Sequence, residues 1–362
     1  MPLSRDQVLS ALQSITDPRL GTNIVVGKVV QEIQLDGNDV YVRLDLSPLS
    51  GESKETIRGK VEQALKAAGA SQVHITLTAQ PQPRGPAAAG QPAANRPLPQ
   101  VKNFIAVGAG KGGVGKSTVA LNLAVGLSRT GADVGLMDGD IYGPSMPTML
   151  GIKGLAPQVD GGRIVPFHVH GIHAITIGAL VEPDKPLIWR GPMAHGAFKQ
   201  LLIDNTVWPE LDYLIIDLPP GTGDVPLSLC QMLPITGAVV VATPQQVALD
   251  DAVRAVRMFQ QLEAPLLGLV ENMSYFIADD GSEHDIFGRG GTEHAARQLG
   301  LPYLGELPMF TPLRKNSDAG TPQMNFEGDP KLRQALELIV RNLKIEVEKR
   351  NARMAGPKLN II

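Results

Sequence analysis

Short unbroken aliphatic runs alternate along most of this chain with longer stretches in which apolar residues recur every three or four positions. The first pattern marks buried strands and the second marks one-sided helices. From about residue 101 to 350 the runs at 104–107, 134–137, 172–177, 213–216, 238–242, 266–270 and 303–307 read as strands, with helices between them. Runs without polar alternation belong to strands covered on both faces, so the predicted fold class is α/β, a mostly parallel sheet flanked by helices. Residues 1–79 carry a smaller α/β pattern, with helices around 7–15 and 55–67 and strands around 24–33, 40–46 and 73–77. There, Asp36-Gly37-Asn38 between two strand-like runs is a hairpin signal.

Between 80 and 100 the pattern lapses into Pro, Ala, Gly and Gln, with Pro81, Pro83, Pro86, Pro92, Pro97 and Pro99. Such a segment buries too little surface to fold, and its prolines keep it extended. Twenty or so residues of this kind span roughly 25 Å as a coil, so the small domain is expected to move relative to the larger one. The predicted organisation is a small domain 1–79, a linker 80–100, a large domain 101–350 and a tail 351–362. Asp329 as N-cap and Pro330 at the first helical position start a last helix through Leu336, Leu338, Ile339, Leu343 and Ile345. Lys349, Arg350 and Arg353 follow it without forming a continuous basic face, which favours a docking helix over a membrane-surface one.

The candidate chemistry begins with Gly110-Lys111-Gly112-Gly113-Val114-Gly115-Lys116-Ser117-Thr118, between the run at 104–107 and an apolar helix predicted over 119–127 and stopping at Gly131. It fits the pattern G-x-x-x-x-G-K-[ST], in which backbone N–H groups cradle phosphate oxygens, the lysine reaches the terminal phosphates and the hydroxyl of Ser117 holds magnesium. Strand, glycine turn and helix N-terminus aim a positive dipole at the phosphates. A P-loop NTPase with ATP and magnesium is the expected reading.

Three other strand ends carry informative residues, and in such sheets ligands bind beyond the carboxyl ends of the strands. Asp217 closes the run at 213–216, where a phosphate-loop enzyme places the acid that holds magnesium. The following Leu218-Pro219-Pro220-Gly221-Thr222-Gly223-Asp224 reads as a switch, its prolines stiffening the turn and Gly221 letting the backbone approach a γ-phosphate. Asp138 and Asp140 follow the run at 134–137; Asp140 is assigned to the attacking water and Asp138 to the metal shell. Asn272 follows the run at 266–270 and offers its amide to a base.

Composition narrows this picture without redirecting it. With 43% hydrophobic and 19% charged residues the chain is expected to fold, and a net charge of -3 gives no global pull toward nucleic acid. No apolar run is long enough to span a bilayer and the N-terminus lacks a signal-peptide profile, so the expected location is cytoplasmic. The single cysteine, Cys230, excludes an intramolecular disulfide and any site built from several thiolates of one chain. It falls in a predicted helix over 226–233 and reads as a small buried hydrophobe.

The second lysine, Lys111, resembles the deviant phosphate loop of the MinD, ParA and nitrogenase iron-protein ATPases, a likeness that implies a homodimer in which Lys111 reaches the phosphates of the facing subunit. Together with Asp17-Pro18-Arg19-Leu20-Gly21, the linker, Asp138-Gly139-Asp140-Ile141-Tyr142-Gly143-Pro144-Ser145, the segment 216–224, Glu271-Asn272-Met273-Ser274 and Ile286-Phe287-Gly288-Arg289-Gly290-Gly291, the chain resembles the Mrp (ApbC-type) iron–sulfur cluster carrier ATPases. The resemblance implies a dimeric, magnesium-dependent ATPase that passes iron–sulfur clusters to apoprotein clients or works with iron–sulfur assembly proteins. The family's C-x-x-C falls between the last two of these segments, where this chain reads Tyr275-Phe276-Ile277-Ala278-Asp279-Asp280-Gly281-Ser282-Glu283-His284-Asp285. Pro48-Leu49-Ser50-Gly51-Glu52 likewise stands where relatives often carry a cysteine. A cluster bridged by two thiolates from each subunit therefore cannot form. Asp279, Asp280, Glu283, His284 and Asp285 offer carboxylates and an imidazole that suit another metal better than a cluster, but nothing in their spacing enforces convergence and a solvated acidic loop is the expected reading. The alternative expectation is an ATP-gated adaptor that recruits a client without holding a cluster; a partitioning ATPase on DNA or membrane is disfavoured by the mild charge.

Overall fold

The structure is a computed structural model that describes residues 5–17, 22–26, 29–36, 39–45, 51–78, 97–140, 143–179, 196 and 198–354. Two compact units divide it, Met1–Ala88 and Ala89–Ile362. The linker composition over 80–96, Pro18–Gly21, the turn residues Gly37 and Asn38, Pro48–Ser50, Ile141, Tyr142 and the tail from 355 lie outside the described residues.

In the first unit, α1 (Arg5–Gln13) leads through β1 (Thr16–Asp17) and β2 (Thr22–Asn23) to β3 (Val30–Asp36) and β4 (Asp39–Asp45), then α2 (Gly51–Ala67) and β5 (Gln72–Thr78). β3 and β4 pair antiparallel with Asp36 opposite Asp39, as the hairpin signal predicts, and β5 adds in parallel. Ile57, Val61 and Leu65 of α2 recur every fourth residue and bury against Val40, Val42 and Leu44 of β4, which alternate. The predicted strand over 24–33 begins at Val30 instead. The Asn23 side chain accepts the N–H groups of Val25 (3.1 Å) and Val26 (2.8 Å), and Ile24 O accepts those of Val29 and Val30. Asn23 thus folds an apolar stretch into a turn.

The second unit runs β6 (Val101–Gly108), α3 (Lys116–Ser128), β7 (Val134–Asp138), α4 (Met146–Met149), β8 (Gln158–Asp160), β9 (Arg163–Val165), β10 (Phe167–Val169) and β11 (Ile172–Thr176). It continues with β12 (Leu211–Asp217), α5 (Asp224–Met232), β13 (Gly237–Ala242), α6 (Gln246–Gln261), β14 (Leu266–Ile277), β15 (Glu283–His284), α7 (Gly291–Leu299), β16 (Tyr303–Met309), α8 (Thr311–Asp318), α9 (Met324–Glu327) and α10 (Pro330–Met354). Among the described residues the main sheet has nine strands, ordered β10-β11-β7-β12-β6-β13-β14-β15 with β16 also on β14. All pairings are parallel except β10 with β11 and β14 with β15. The seven predicted strands are all present, and the run at 266–270 extends to Ile277.

Two cores lie on the two faces of this sheet because successive strand residues point oppositely. In β6, Ile105 and Val107 join one core while Phe104 and Ala106 join the other; in β12, Tyr213 and Ile215 separate in the same way from Leu214 and Ile216. α3 is apolar on nearly every side, since it is enclosed by the sheet and by α10. Asp329 caps α10, its carboxylate accepting the N–H groups of Lys331 (2.8 Å) and Leu332 (3.3 Å). The helix runs to Met354, past the predicted boundary at 350. Among the described residues no helix is long and apolar enough to cross a membrane.

Candidate active site

β6 ends at Gly108, the loop 109–115 follows, and α3 starts at Lys116. Gly115 takes a left-handed backbone (φ 78°), and a Cβ there would stand 2.1 Å from Asn272 Nδ2. A Cβ on Gly110 would stand 2.0 Å from the backbone oxygen of Asp251 in α6. The fixed glycines therefore serve close approach of neighbouring segments as well as phosphate access.

Lys116 Nζ sits 2.6 Å from Asp217 Oδ1 and 3.2 Å from Ser117 Oγ. Lys116 is only 6% exposed and Asp217 is fully enclosed (0%), so this ion pair is sheltered from water. Asp217 ends β12 and Asp138 ends β7, directly opposite each other in the parallel ladder, and Gly139 N–H donates to Asp217 O at 2.8 Å. Burial pushes the Asp217 carboxyl up against the opposing pull of Lys116. Asp138 is pushed up to about 7, by burial first and then by the charge of Asp217. Thr176 Oγ1 donates to Asp138 Oδ2 (2.7 Å) and Asp140 N–H to its Oδ1 (3.0 Å). Asp140, half-buried, also accepts Gly143 N–H at 3.3 Å.

The donor set suits a hard cation. Asp217 Oδ2 is buried without a hydrogen-bond partner among the described residues, and the Ser117 hydroxyl is adjacent to the same lysine. Carboxylate and hydroxyl oxygens of this kind are the ligands magnesium takes beside phosphates and water. Each oxygen of Asp138 accepts one hydrogen bond, whereas Asp217 Oδ2 accepts none among the described residues.

Asn272, the residue expected at the base, donates its Nδ2 to Val114 O at 2.8 Å, so its amide nitrogen also holds the phosphate loop. Gly221 N–H donates to Ala109 O and Leu218 N–H to Val107 O, each at 3.0 Å, tying the proline-containing segment after β12 back onto the loop strand. Lys111 is half-buried at the loop's start, next to exposed Gly112 and Gly113, and Thr118 is half-buried in the first turn of α3.

Sequence reasoning also missed a chain of side-chain amides behind the loop. Asn122 Nδ2 donates to Thr118 O (2.8 Å), Asn325 Nδ2 to Asn122 Oδ1 (2.9 Å) and Asn316 Nδ2 to Asn325 Oδ1 (2.9 Å). Asparagines inside helices have no outward signal; only their burial against one another gives them a role. A fully enclosed Glu271 is the other omission: it accepts Gly290 N–H (2.8 Å), Thr292 N–H (2.7 Å) and the Ser274 hydroxyl (2.6 Å).

The acidic stretch does not join this site. β14 and β15 form a hairpin, with Phe276 opposite His284, and Asp280 Oδ1 accepts Ser282 N–H (2.9 Å) and Oγ–H (2.6 Å). Among the described residues no three or more His, Cys, Asp or Glu side chains group as a metal site. Cys230 lies in α5, packed at the margin of one core, and burial pushes its thiol up to about 12. Alkylation of native protein at pH 7.5 should therefore run about a thousandfold slower than that of an unperturbed thiol. Iodoacetamide labelling followed by mass spectrometry checks this, and labelling at the free-thiol rate in folded protein contradicts it.

Two family profiles match the chain. One, the NUBPL iron-transfer P-loop NTPases (ParA), matches residues 100–344, and the other, iron–sulfur cluster assembly proteins, matches 5–78. The chain belongs to the iron-transfer P-loop NTPase family. It is 43% identical over 348 residues to an iron–sulfur cluster carrier protein of Synechocystis sp., covering 94% of this chain and 97% of that one. It is 44% identical over 352 residues to the carrier protein of Deinococcus radiodurans, covering 95% and 96%. A solved nucleotide-binding protein from Archaeoglobus fulgidus, in complex with ADP and with cobalt, superposes at a TM-score of 0.58 and 36% identity, over 66% of this chain and 93% of that one. As a family member with this loop, the chain is an ATP hydrolase.

Proposed function

We propose that this chain is a magnesium-dependent, homodimeric ATPase of iron–sulfur cluster delivery in the cytoplasm, whose cargo is not held by thiolates of its own. The observation that carries the ATPase part is the sheltered Lys116–Asp217 pair beneath the phosphate loop. In this reading Lys116 exchanges Asp217 for phosphate oxygens and offers charge stabilisation as negative charge shifts during phosphoryl transfer. Asp217 and Ser117 would hold magnesium, which would supply charge neutralisation at the phosphates. Asp140 orients the attacking water at the same rim. Lys111 reaches the phosphates bound by a second copy, a role supported by the resemblance of its loop to the deviant group.

The names of the relatives support carrying iron–sulfur clusters as the task. This chain's own residues do not fit the family's way of holding the cargo, since Cys230 is the one cysteine and its thiol resists ionisation. The closed hairpin in place of the C-x-x-C segment favours a second reading, an ATP-gated adaptor that brings a client to a cluster held elsewhere.

Anaerobic reconstitution of the full chain with iron and sulfide, followed by metal and sulfide analysis and visible absorbance, tests the cargo reading. The expected product is colourless and iron-free while it still hydrolyses ATP. A stoichiometric, coloured cluster retained after desalting overturns that expectation.

A further inference from the structure

β14 is the element that joins the phosphate loop to the hairpin, and it is interrupted where it does so. Its ladder with β16 pairs Asn272 with Leu307 and next Phe276 with Met309, so four steps along β14 meet two along β16. Pro308, which has no N–H, stands opposite the surplus residues. Within this bulge Met273 adopts φ 55°, a left-handed conformation that methionine disfavours and that persists only where its surroundings impose it.

Three consecutive side chains of the bulge have three different partners. Asn272 holds Val114 O. The Met273 methyl lies 3.7 Å from where a Gly115 Cβ would be, against the second fixed glycine of the loop. Ser274 turns away into a carboxylate pair, its Oγ 2.6 Å from Glu271 Oε1 and 2.7 Å from Glu306 Oε2. Arg289 completes the arrangement: it donates to both oxygens of Glu306 (2.5 and 3.2 Å) and to Glu283 of the hairpin (3.0 Å), and lies 3.9 Å over the Tyr275 ring.

We infer that Ser274, Glu306 and Arg289 are positioning residues for ATP, imposing the Met273 backbone that presses Asn272 and Met273 against Val114 and Gly115 and so holds the phosphate loop in its binding shape. None of the three is placed at the phosphates. Their effect is transmitted by the bulge, which cannot relax while Ser274 is fixed between the two carboxylates and Glu306 is gripped by Arg289.

The inference rests on ATP hydrolysis by this chain. Loop shape acts on the bound ground state and the transition state alike, so losing it raises KM more than it lowers kcat. In the full chain, Ser274→Ala should raise the KM for ATP about tenfold with kcat within about threefold, and Ser274→Thr, which keeps the hydroxyl, should restore most of it. Arg289→Ala, a less buried change further from the loop, should raise KM about threefold to fivefold. In an Asn272→Ala background it should add little, because the bulge then has no grip on Val114 to lose. Titration with a fluorescent ATP analogue should show the same ordering in Kd. A lowered melting temperature with wild-type KM and Kd in Arg289→Ala overturns the inference and leaves ATP hydrolysis standing; absence of ATP turnover in the wild-type chain removes both.

Discussion

Lys116→Ala is expected to lose ATP turnover by about a thousandfold, the scale on which removing one preorganised charge from a developing oxyanion acts. The side chain is enclosed, and its only carboxylate contact among the described residues is Asp217, 2.6 Å away. Removing it strands a fully buried carboxylate that burial already pushes toward protonation. Breaking a buried pair from one side typically costs about 3–5 kcal/mol, so the variant should also melt earlier. Lys116→Gln separates the two effects, because its amide can still donate to Asp217 while carrying no charge to the phosphates. Phosphate release and thermal melting measured together should show both variants inactive, with Gln the more stable. Turnover near wild type in a folded Lys116 variant excludes this site.

Gly110→Ala should destabilise the large unit strongly for a change at a half-buried loop position. The added methyl would stand 2.0 Å from Asp251 O and 2.1 Å from its carbonyl carbon, and neither backbone atom can rotate away. Either β6 or α6 must shift, at a cost of about 3 kcal/mol or more, or roughly 6–12 °C in melting temperature. Gly113→Ala is the control: its φ of 80° carries the left-handed strain, but nothing lies within 4 Å of the new methyl. That change should cost about 1 kcal/mol and roughly 2–4 °C. Equal shifts for the two variants would show that the approach of α6 does not constrain position 110.

What was legible in the chain follows from the range of each signal. Apolar runs of four or five residues announced the strands, and Asp329-Pro330 announced the start of α10, because strand burial and helix capping act within a few residues. The turn at 24–26 escaped because Asn23 outweighs the apolar residues after it through hydrogen bonds of its own side chain. The acidic stretch could be read from the sequence as a solvated loop or as metal ligands, because residue type does not say which side chains have partners. Once folded, Asp280 is engaged with Ser282 and Glu283 with Arg289, so these two carboxylates have local partners.

By itself the sequence determined the phosphate loop, the acids that close β7 and β12, the parallel α/β architecture and the absence of a thiolate pair. Each of these is a property of residue type and short spacing. Only the tertiary structure decided why Gly110 must lack a side chain, why Asn272 serves the loop, and how Ser274, Glu306 and Arg289 stand behind it. Those roles come from partners distant in the chain: Asn272 reaches back 158 positions to Val114, and Asn325 reaches 203 to Asn122. A buried polar group takes its function from whichever acceptor the fold brings within 3 Å, and no local pattern records that choice.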